Sequence, residues 1–255
     1  MNSLKVAGLI PARYGSTRLP GKPLALIVGK PMIQHVYERC MSAPSLASVW
    51  VCTDDVRVYD VVKAFGGKAV MTRSDHISGT DRVAEAAQQL DADIIVNIQG
   101  DQPFVHPDML DEVVQPLLQE DAADVSTLMF RIDREEDFKD PAVVKVVVNH
   151  AGRALYFSRS LIPYPREKVE HAVYEHAGTY VYRKETLLRL TQLAPTTLEK
   201  VESLEQLRWL EHGLSVQVVE SKIPDPARYG FSVDTPADLE RAEKIYEKNT
   251  DAGQK

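Results

Sequence analysis

Residues 4–23 read LKVAGLIPARYGSTRLPGKP, a short apolar strand followed at once by a loop rich in charge and turn residues. After Val6–Ile10 come three cations (Arg13, Arg18, Lys22), two glycines (Gly15, Gly21), two hydroxyls (Ser16, Thr17) and three prolines (Pro11, Pro20, Pro23). Proline fixes φ and stiffens the loop, and glycine lets backbone approach a ligand closely. Guanidinium and ammonium groups in such a loop suit phosphate oxygens. A basic surface turn is the bland alternative. Position decides between them, because a loop at the carboxyl end of the first strand of an α/β sheet lies where ligands bind.

Outward from that stretch, strands and helices alternate. Ile33, Val36, Tyr37 and Cys40 form one helical stripe, and Val49–Thr53 is a second apolar strand. Val58, Val61, Val62 and Phe65 mark a helix that Gly66-Gly67 stops. Ala69–Met71 is a brief strand, and Val83, Ala86, Ala87 and Leu90 are a further stripe. Ile94–Ile98 is nearly all apolar, as in a central parallel strand covered on both faces. This order predicts a right-handed, mainly parallel three-layer sandwich.

After about Ala123 the pattern changes to strands at Ser126–Ile132, Val143–Val148 and Ala154–Ser158, which suggest antiparallel additions. Ile162-Pro163-Tyr164-Pro165 reads as a rigid extended elbow. Strand returns at Gly178–Tyr182, followed by helices over about Glu185–Leu193 and Leu198–Glu211. A late strand at Val216–Val219 precedes a closing helix, Pro236–Tyr246, with Asp234 or Thr235 near its cap.

The 255 residues suit one large domain or a core with an inserted subdomain, and a formal charge of −7 argues against general affinity for nucleic acid or anionic membrane. Cys40 and Cys52, the two cysteines, make neither a disulfide framework nor a metal cluster, which points to a reducing, cytoplasmic setting. The apolar run ending at Pro11 is too short for a signal sequence or a span.

Four constellations carry chemistry. Asp101, in Asn97-Ile98-Gln99-Gly100-Asp101-Gln102-Pro103, lies just past the central strand and is a candidate Mg²⁺ ligand, or else a turn aspartate. Asp234 is a second acid whose role depends on meeting Asp101 in space; otherwise it opens a helix. In Arg73–Arg82, Ser78 or Thr80 could cap a helix, or the loop could read a base, with His76 a structural hydrogen-bonding histidine. Later polar groups (Arg159, Arg166, His176, Tyr180, Glu205, Gln206) stand where a second substrate could lie, although spacing alone does not single them out. No HxH, CxxC, HExxH, GxSxG or GxGxxG pattern points to zinc, a hydrolase triad or a dinucleotide.

Taken in order, IPARYGSTRLPGKPL, RSDHISGTDR, VNIQGDQP, ALYFSRSLIPYPR, HAGTYVYR, LEQLRWLEHG and VDTPADLE closely resemble the 3-deoxy-manno-octulosonate (Kdo) cytidylyltransferases, from about Val6 to Tyr246. The resemblance implies a Rossmann-like nucleotidyltransferase sandwich, residues 1–255 as one domain, with about 124–195 as a smaller antiparallel sugar-binding and dimerisation region. It implies transfer of CMP from CTP to Kdo with Mg²⁺, for lipopolysaccharide synthesis, by a cytoplasmic homodimer. On matching motifs, Arg13 and Lys22 hold the triphosphate, and Arg73, Ser78 and Gly79 recognise cytidine. Asp101 and Asp234 bind Mg²⁺, and Gln99, Arg159, Arg166, His176, Tyr180, Glu205 and Gln206 shape the sugar-acid pocket. The chain departs from the commoner motifs with Gln102 in GDQP for GDEP, with HAGTYVYR for HLGIYGYR, and with Asp81 for Glu. Alternatives are the same reaction on the 8-amino analogue of Kdo or on a sialic acid, and a non-catalytic nucleotide-binding protein.

Overall fold

The opening apolar run is strand β1 (Val6–Pro11) in the computed structural model, which describes residues 4–119, 122–223 and 231–252. The chain divides into two units, residues 1–111 with 223–255, and residues 112–222. In the first unit β1 passes through the loop to a hairpin, β2 (Leu26–Ile27) and β3 (Lys30–Pro31), whose turn holds Val28 and Gly29 at positive φ. Helix α1 (Met32–Met41) buries Ile33, Val36, Tyr37 and Cys40, the expected stripe. Strand β4 (Ser48–Thr53) pairs in parallel with β1, Ala7 opposite Ser48. Helix α2 (Val56–Ala64) starts where the Asp55 carboxylate accepts the Arg57 N–H, and it ends before Gly66 at φ 82°. Strand β5 (Ala69–Met71) pairs in parallel with β4, and helix α3 (Gly79–Gln88) leads to β6 (Ile94–Asn97), buried throughout and parallel to β1. The order β6-β1-β4-β5 is the parallel sheet that the apolar strands imply.

Helix α4 (Pro107–Val114) then leads into the second unit. Its strands are β7 (Val125–Arg131), β8 (Lys145–Val148), β9 (Ala154–Ser158), β10 (Tyr174–Arg183) and β11 (Val216–Glu220). β10 pairs antiparallel with β7 and β8, β8 pairs antiparallel with β9, and β11 adds in parallel to β7. Its helices are α5 (Glu135–Lys139), α6 (Lys184–Leu190), α7 (Thr197–Glu202) and α8 (Glu205–Glu211). The single helix expected over Leu198–Glu211 is therefore two. Ser203 sits between them in the left-handed region at φ 52°, and the Arg159 guanidinium draws off the carbonyls of Glu202 and Ser203 that a continuous helix would need. Trp209, fully buried on α8, meets Tyr180 and Tyr182 edge-on.

Helix α9 (Pro236–Ala252) closes the first unit. Ile27, Met32, Phe104, Val233 and Ala242 form a fully buried cluster, with Phe104 stacked on Tyr246 at 4.7 Å. Burying Ile27, Met32, Phe104 and Val233 contributes about 1.5–3 kcal/mol each, and the cluster anchors the segments that carry Lys22, Asp101 and Asp234. Among the described residues no helix is long and apolar enough to cross a membrane.

Candidate active site

The loop after β1 owes its shape to one aromatic ring. The Gly21 N–H donates to the Tyr14 carbonyl at 3.2 Å, and the Arg57 guanidinium lies 3.4 Å above the Tyr14 ring. Gly21 has φ 68°, and a Cβ there would come within 3.1–3.3 Å of that ring, so glycine is required on both counts. The turn at Lys22–Leu24 then points Lys22 inward.

Asp101 arrives from β6 through Gly100, where a Cβ would stand 2.8 Å from the Pro11 carbonyl oxygen. Only glycine lets the two loops touch. Asp234 arrives from far along the chain because the Val233 N–H donates to the Asp101 carbonyl at 2.9 Å. The cap of α9 is Thr235: its Oγ1 accepts the Asp238 N–H, while the Asp238 carboxylate accepts from the Thr235 N–H and hydroxyl. Asp234 is thus freed from capping.

The two acids meet on one cation. The Lys22 Nζ donates to Asp101 Oδ2 at 2.6 Å and to Asp234 Oδ1 at 3.0 Å, and Arg18 donates to the same Asp234 oxygen at 2.9 Å. Burial weighs against the Lys22 ammonium, but Asp101 and Asp234 outweigh it and hold its pKa above the ordinary lysine value. An ammonium has three donors, so one remains beyond the two carboxylates. Arg13, by contrast, is exposed and makes no ion pair among the described residues. These groups line a cavity of about 320 Å³ with Gln99, Ser78 and Gly79 on its walls. Among the described residues no group of three or more His, Cys, Asp or Glu could hold a metal unaided. Two carboxylates that already share a cation fit Mg²⁺ all the same, since that ion takes one or two carboxylates and completes its shell with water and substrate phosphates.

The opposite wall is the loop before α3. Ser78 is the cap there: its Oγ accepts the Asp81 N–H at 3.1 Å while the Asp81 carboxylate accepts from Ser78, a reciprocal box that settles Ser78 over Thr80. The Ser78 hydroxyl is therefore engaged within the loop. His76 bonds Glu85, which also accepts the Arg73 N–H at 3.1 Å, so His76 holds the loop as expected. The Arg73 side chain is exposed, pairs with Asp75 at 3.2 Å and does not line the cavity. Arg82, passed over in the sequence, does: it is 4% exposed, donates to Asp54 at 3.0 Å and to Thr72 Oγ1 at 2.5 Å, and ties this loop to the end of β4. Its signal was a cation next to the apolar stripe of Val83, Ala86 and Ala87.

The residues matched to a sugar acid, Gln99 apart, belong to the second unit. His176 lies 5.3 Å from Tyr180, and burial raises the Tyr180 hydroxyl well above its usual range, helped by Tyr182 and Glu205. Gln206 is buried beside Glu205 at the start of α8. Arg159 donates to the carbonyls of Glu202 (2.7 Å), Pro141 (2.8 Å) and Ser203 (3.4 Å). Three of the five donors of its guanidinium thus hold backbone, which leaves fewer for a carboxylate than its sequence role suggests. Arg166 is exposed beyond the cis Ile162–Pro163 bond. Lys145, fully buried with its ammonium on the Asp140 carbonyl at 2.7 Å, was not foreseen.

The Cytidylyltransferase family profile matches residues 7–223. The 3-deoxy-manno-octulosonate cytidylyltransferase of Geobacter metallireducens is 48% identical, with 96% of this chain and 98% of that protein covered. The Escherichia coli protein of the same name is 48% identical over 94% and 96%. A solved CMP:2-keto-3-deoxy-manno-octonic acid synthetase in complex with CTP superposes with a TM-score of 0.90 at 47% identity, covering 96% of this chain and 99% of that one. The 4-diphosphocytidyl-2C-methyl-D-erythritol synthase of Anaerococcus prevotii, 12% identical with a TM-score of 0.64 over 96% of this chain and 97% of its own, shares the fold.

Proposed function

The chain belongs to the cytidylyltransferase family, among the 3-deoxy-manno-octulosonate cytidylyltransferases, and from that premise we propose that it transfers CMP from CTP to the anomeric hydroxyl of Kdo. The products are CMP-Kdo and pyrophosphate, and the activated sugar serves lipopolysaccharide synthesis. The observation that carries the reading is the Lys22 ammonium shared by Asp101 and Asp234 at the mouth of the cationic loop.

The anomeric oxygen attacks the α-phosphorus in line, so the protein's task is placement and charge. Arg13 has a free guanidinium for the triphosphate, and the third donor of Lys22 serves the same end. Asp101 and Asp234 would hold Mg²⁺, which when bound neutralises charge spreading over the phosphate oxygens. Gly79 and the backbone of Ser78 present the loop wall to cytidine, with Arg73 behind it. Gln99, Arg159, Arg166, His176, Tyr180, Glu205 and Gln206 are assigned to the sugar acid. The working state is a cytoplasmic homodimer with no nucleic-acid or membrane partner.

Pyrophosphate release from CTP, measured with Kdo, its 8-amino analogue and a sialic acid, tests the reading, with the product identified by mass. Release that requires both CTP and Kdo is expected. CTP binding without release with any acid would overturn it.

A further inference from the structure

The Thr127 hydroxyl has one proton and three polar neighbours. Thr127 is fully buried on β7, and its Oγ1 lies 3.0 Å from the Ala177 carbonyl, 2.8 Å from the Thr179 carbonyl and 3.1 Å from His176 Nε2. Carbonyl oxygens only accept, so the hydroxyl proton goes to them, and what the oxygen offers the imidazole is a lone pair. A ring nitrogen facing that lone pair must carry hydrogen.

The backbone sets up this arrangement. In the β10–β7 ladder His176 stands opposite Met129 and Ala177 opposite Leu128, but the next pair is Tyr180 with Thr127. Gly178 and Thr179 fall outside the register, and the bulge turns the carbonyls of Ala177, just before it, and of Thr179, within it, toward one hydroxyl. Phe157 meets the His176 ring edge-on at 4.9 Å, and Tyr180 flanks it, which fixes the ring plane. The other nitrogen, Nδ1, has no partner among the described residues.

We propose that Thr127 is a positioning residue that locks His176 as the neutral, Nε2-protonated tautomer, so that Nδ1 serves as an acceptor for a hydroxyl of the sugar acid and cannot hold its carboxylate. This rests on the reading that His176 belongs to the sugar-acid pocket. The proton on Nε2 follows from the hydrogen-bond arithmetic alone. Desolvation, which drives the His176 pKa down to about 3, keeps the ring neutral under ordinary conditions. A neutral acceptor nitrogen selects donors, so the substrate carboxylate falls to arginine, and His176 discriminates among sugars by the hydroxyl it meets.

Nitrogen-15 NMR of the imidazoles in the wild-type protein tests the lock with no variant of Thr127. The seven histidines are sorted by the signal missing from His176→Gln. A neutral Nε2–H pattern for His176 is expected, and an Nδ1–H or doubly protonated ring would overturn the proposal. Thr127→Val should mix the tautomers and raise KM for Kdo by roughly tenfold, the loss of one well-placed hydrogen bond, with KM for CTP unchanged. Thr127→Ser should restore both. If the wild-type tautomer is as stated while Thr127→Val and His176→Gln both keep normal KM for Kdo, the sugar-facing half of the proposal falls and the lock stands. A wrong tautomer together with a raised KM in His176→Gln removes the lock and keeps the pocket.

Discussion

Lys22→Met keeps the length and apolar stem of the side chain and removes its charge. That charge lies 2.6 Å from Asp101 and 3.0 Å from Asp234. At an effective dielectric constant of about 20, each contact is worth about 6 kcal/mol of bare attraction. Desolvation offsets several kcal/mol for each ion. With side-chain exposures of 18%, 25% and 34%, the cluster lies between a buried and a surface pair. A net loss of about 2–3 kcal/mol follows from that position. In the proposed mechanism the same ammonium faces the triphosphate, and removing one such electrostatic contact lowers turnover by about 100-fold or more. Lys22→Met should therefore lower kcat/KM for CTP by about 100-fold in a pyrophosphate-release assay, with Kdo and Mg²⁺ saturating. The acids would meanwhile lose their internal cation, so calorimetric titration with Mn²⁺ and no nucleotide should show tighter binding than in the wild type. A variant with near-normal kcat/KM and unchanged Mn²⁺ affinity would refute the assignment of Lys22 to both roles.

Gly100→Ala forces a methyl group against the Pro11 carbonyl at 2.8 Å, backbone that has no rotamer to yield. It should destabilise by about 1–3 kcal/mol in denaturant melts and raise KM for CTP, because the loops bearing Lys22 and Asp101 are pushed apart. The His176 ring, neutral down to about pH 3 when folded, takes up a proton near pH 6.5 when unfolded. Between those values the unfolded state binds the extra proton, so stability falls on acidification, by up to about 1.4 kcal/mol per pH unit from this group. His176→Gln should lose that part of the acid slope in urea melts between pH 4 and 6, and an unchanged slope would contradict the neutral, desolvated ring.

Much of the first unit was legible because its signals are local. Ile94–Ile98 carries no polar side chain but Asn97, and such a run has few homes other than a covered parallel strand. The loop of residues 11–23 declared by composition the cations Arg13, Arg18 and Lys22 that line the cavity. Helix α4 also had a start signal, Pro107 followed by Asp108, that passed unread among the turn residues around it. Less was legible where distant partners decide. The break at Ser203 has no glycine or proline to mark it and depends on Arg159, more than forty residues away. Thr235 rather than Asp234 takes the cap of α9 because Asp238 reciprocates, and that freed carboxylate is what Lys22 and Arg18 collect. Lys145 looks like a surface cation in a string of letters, and only burial shows it holding the Asp140 carbonyl. Asp101 and Asp234 converge because the Val233 N–H bonds the Asp101 carbonyl, a long-range pairing that no local signal announces.

Whether those two carboxylates hold a divalent ion with the nucleotide is most directly measured by electron paramagnetic resonance of Mn²⁺ titrated with CTP. Wild type, Asp101→Asn and Asp234→Asn are compared after thermal melts establish that all three fold. Each substitution should weaken binding of the metal–CTP complex at least roughly tenfold, the effect of about 1.4 kcal/mol. Binding of that complex at wild-type affinity by both variants would contradict the account.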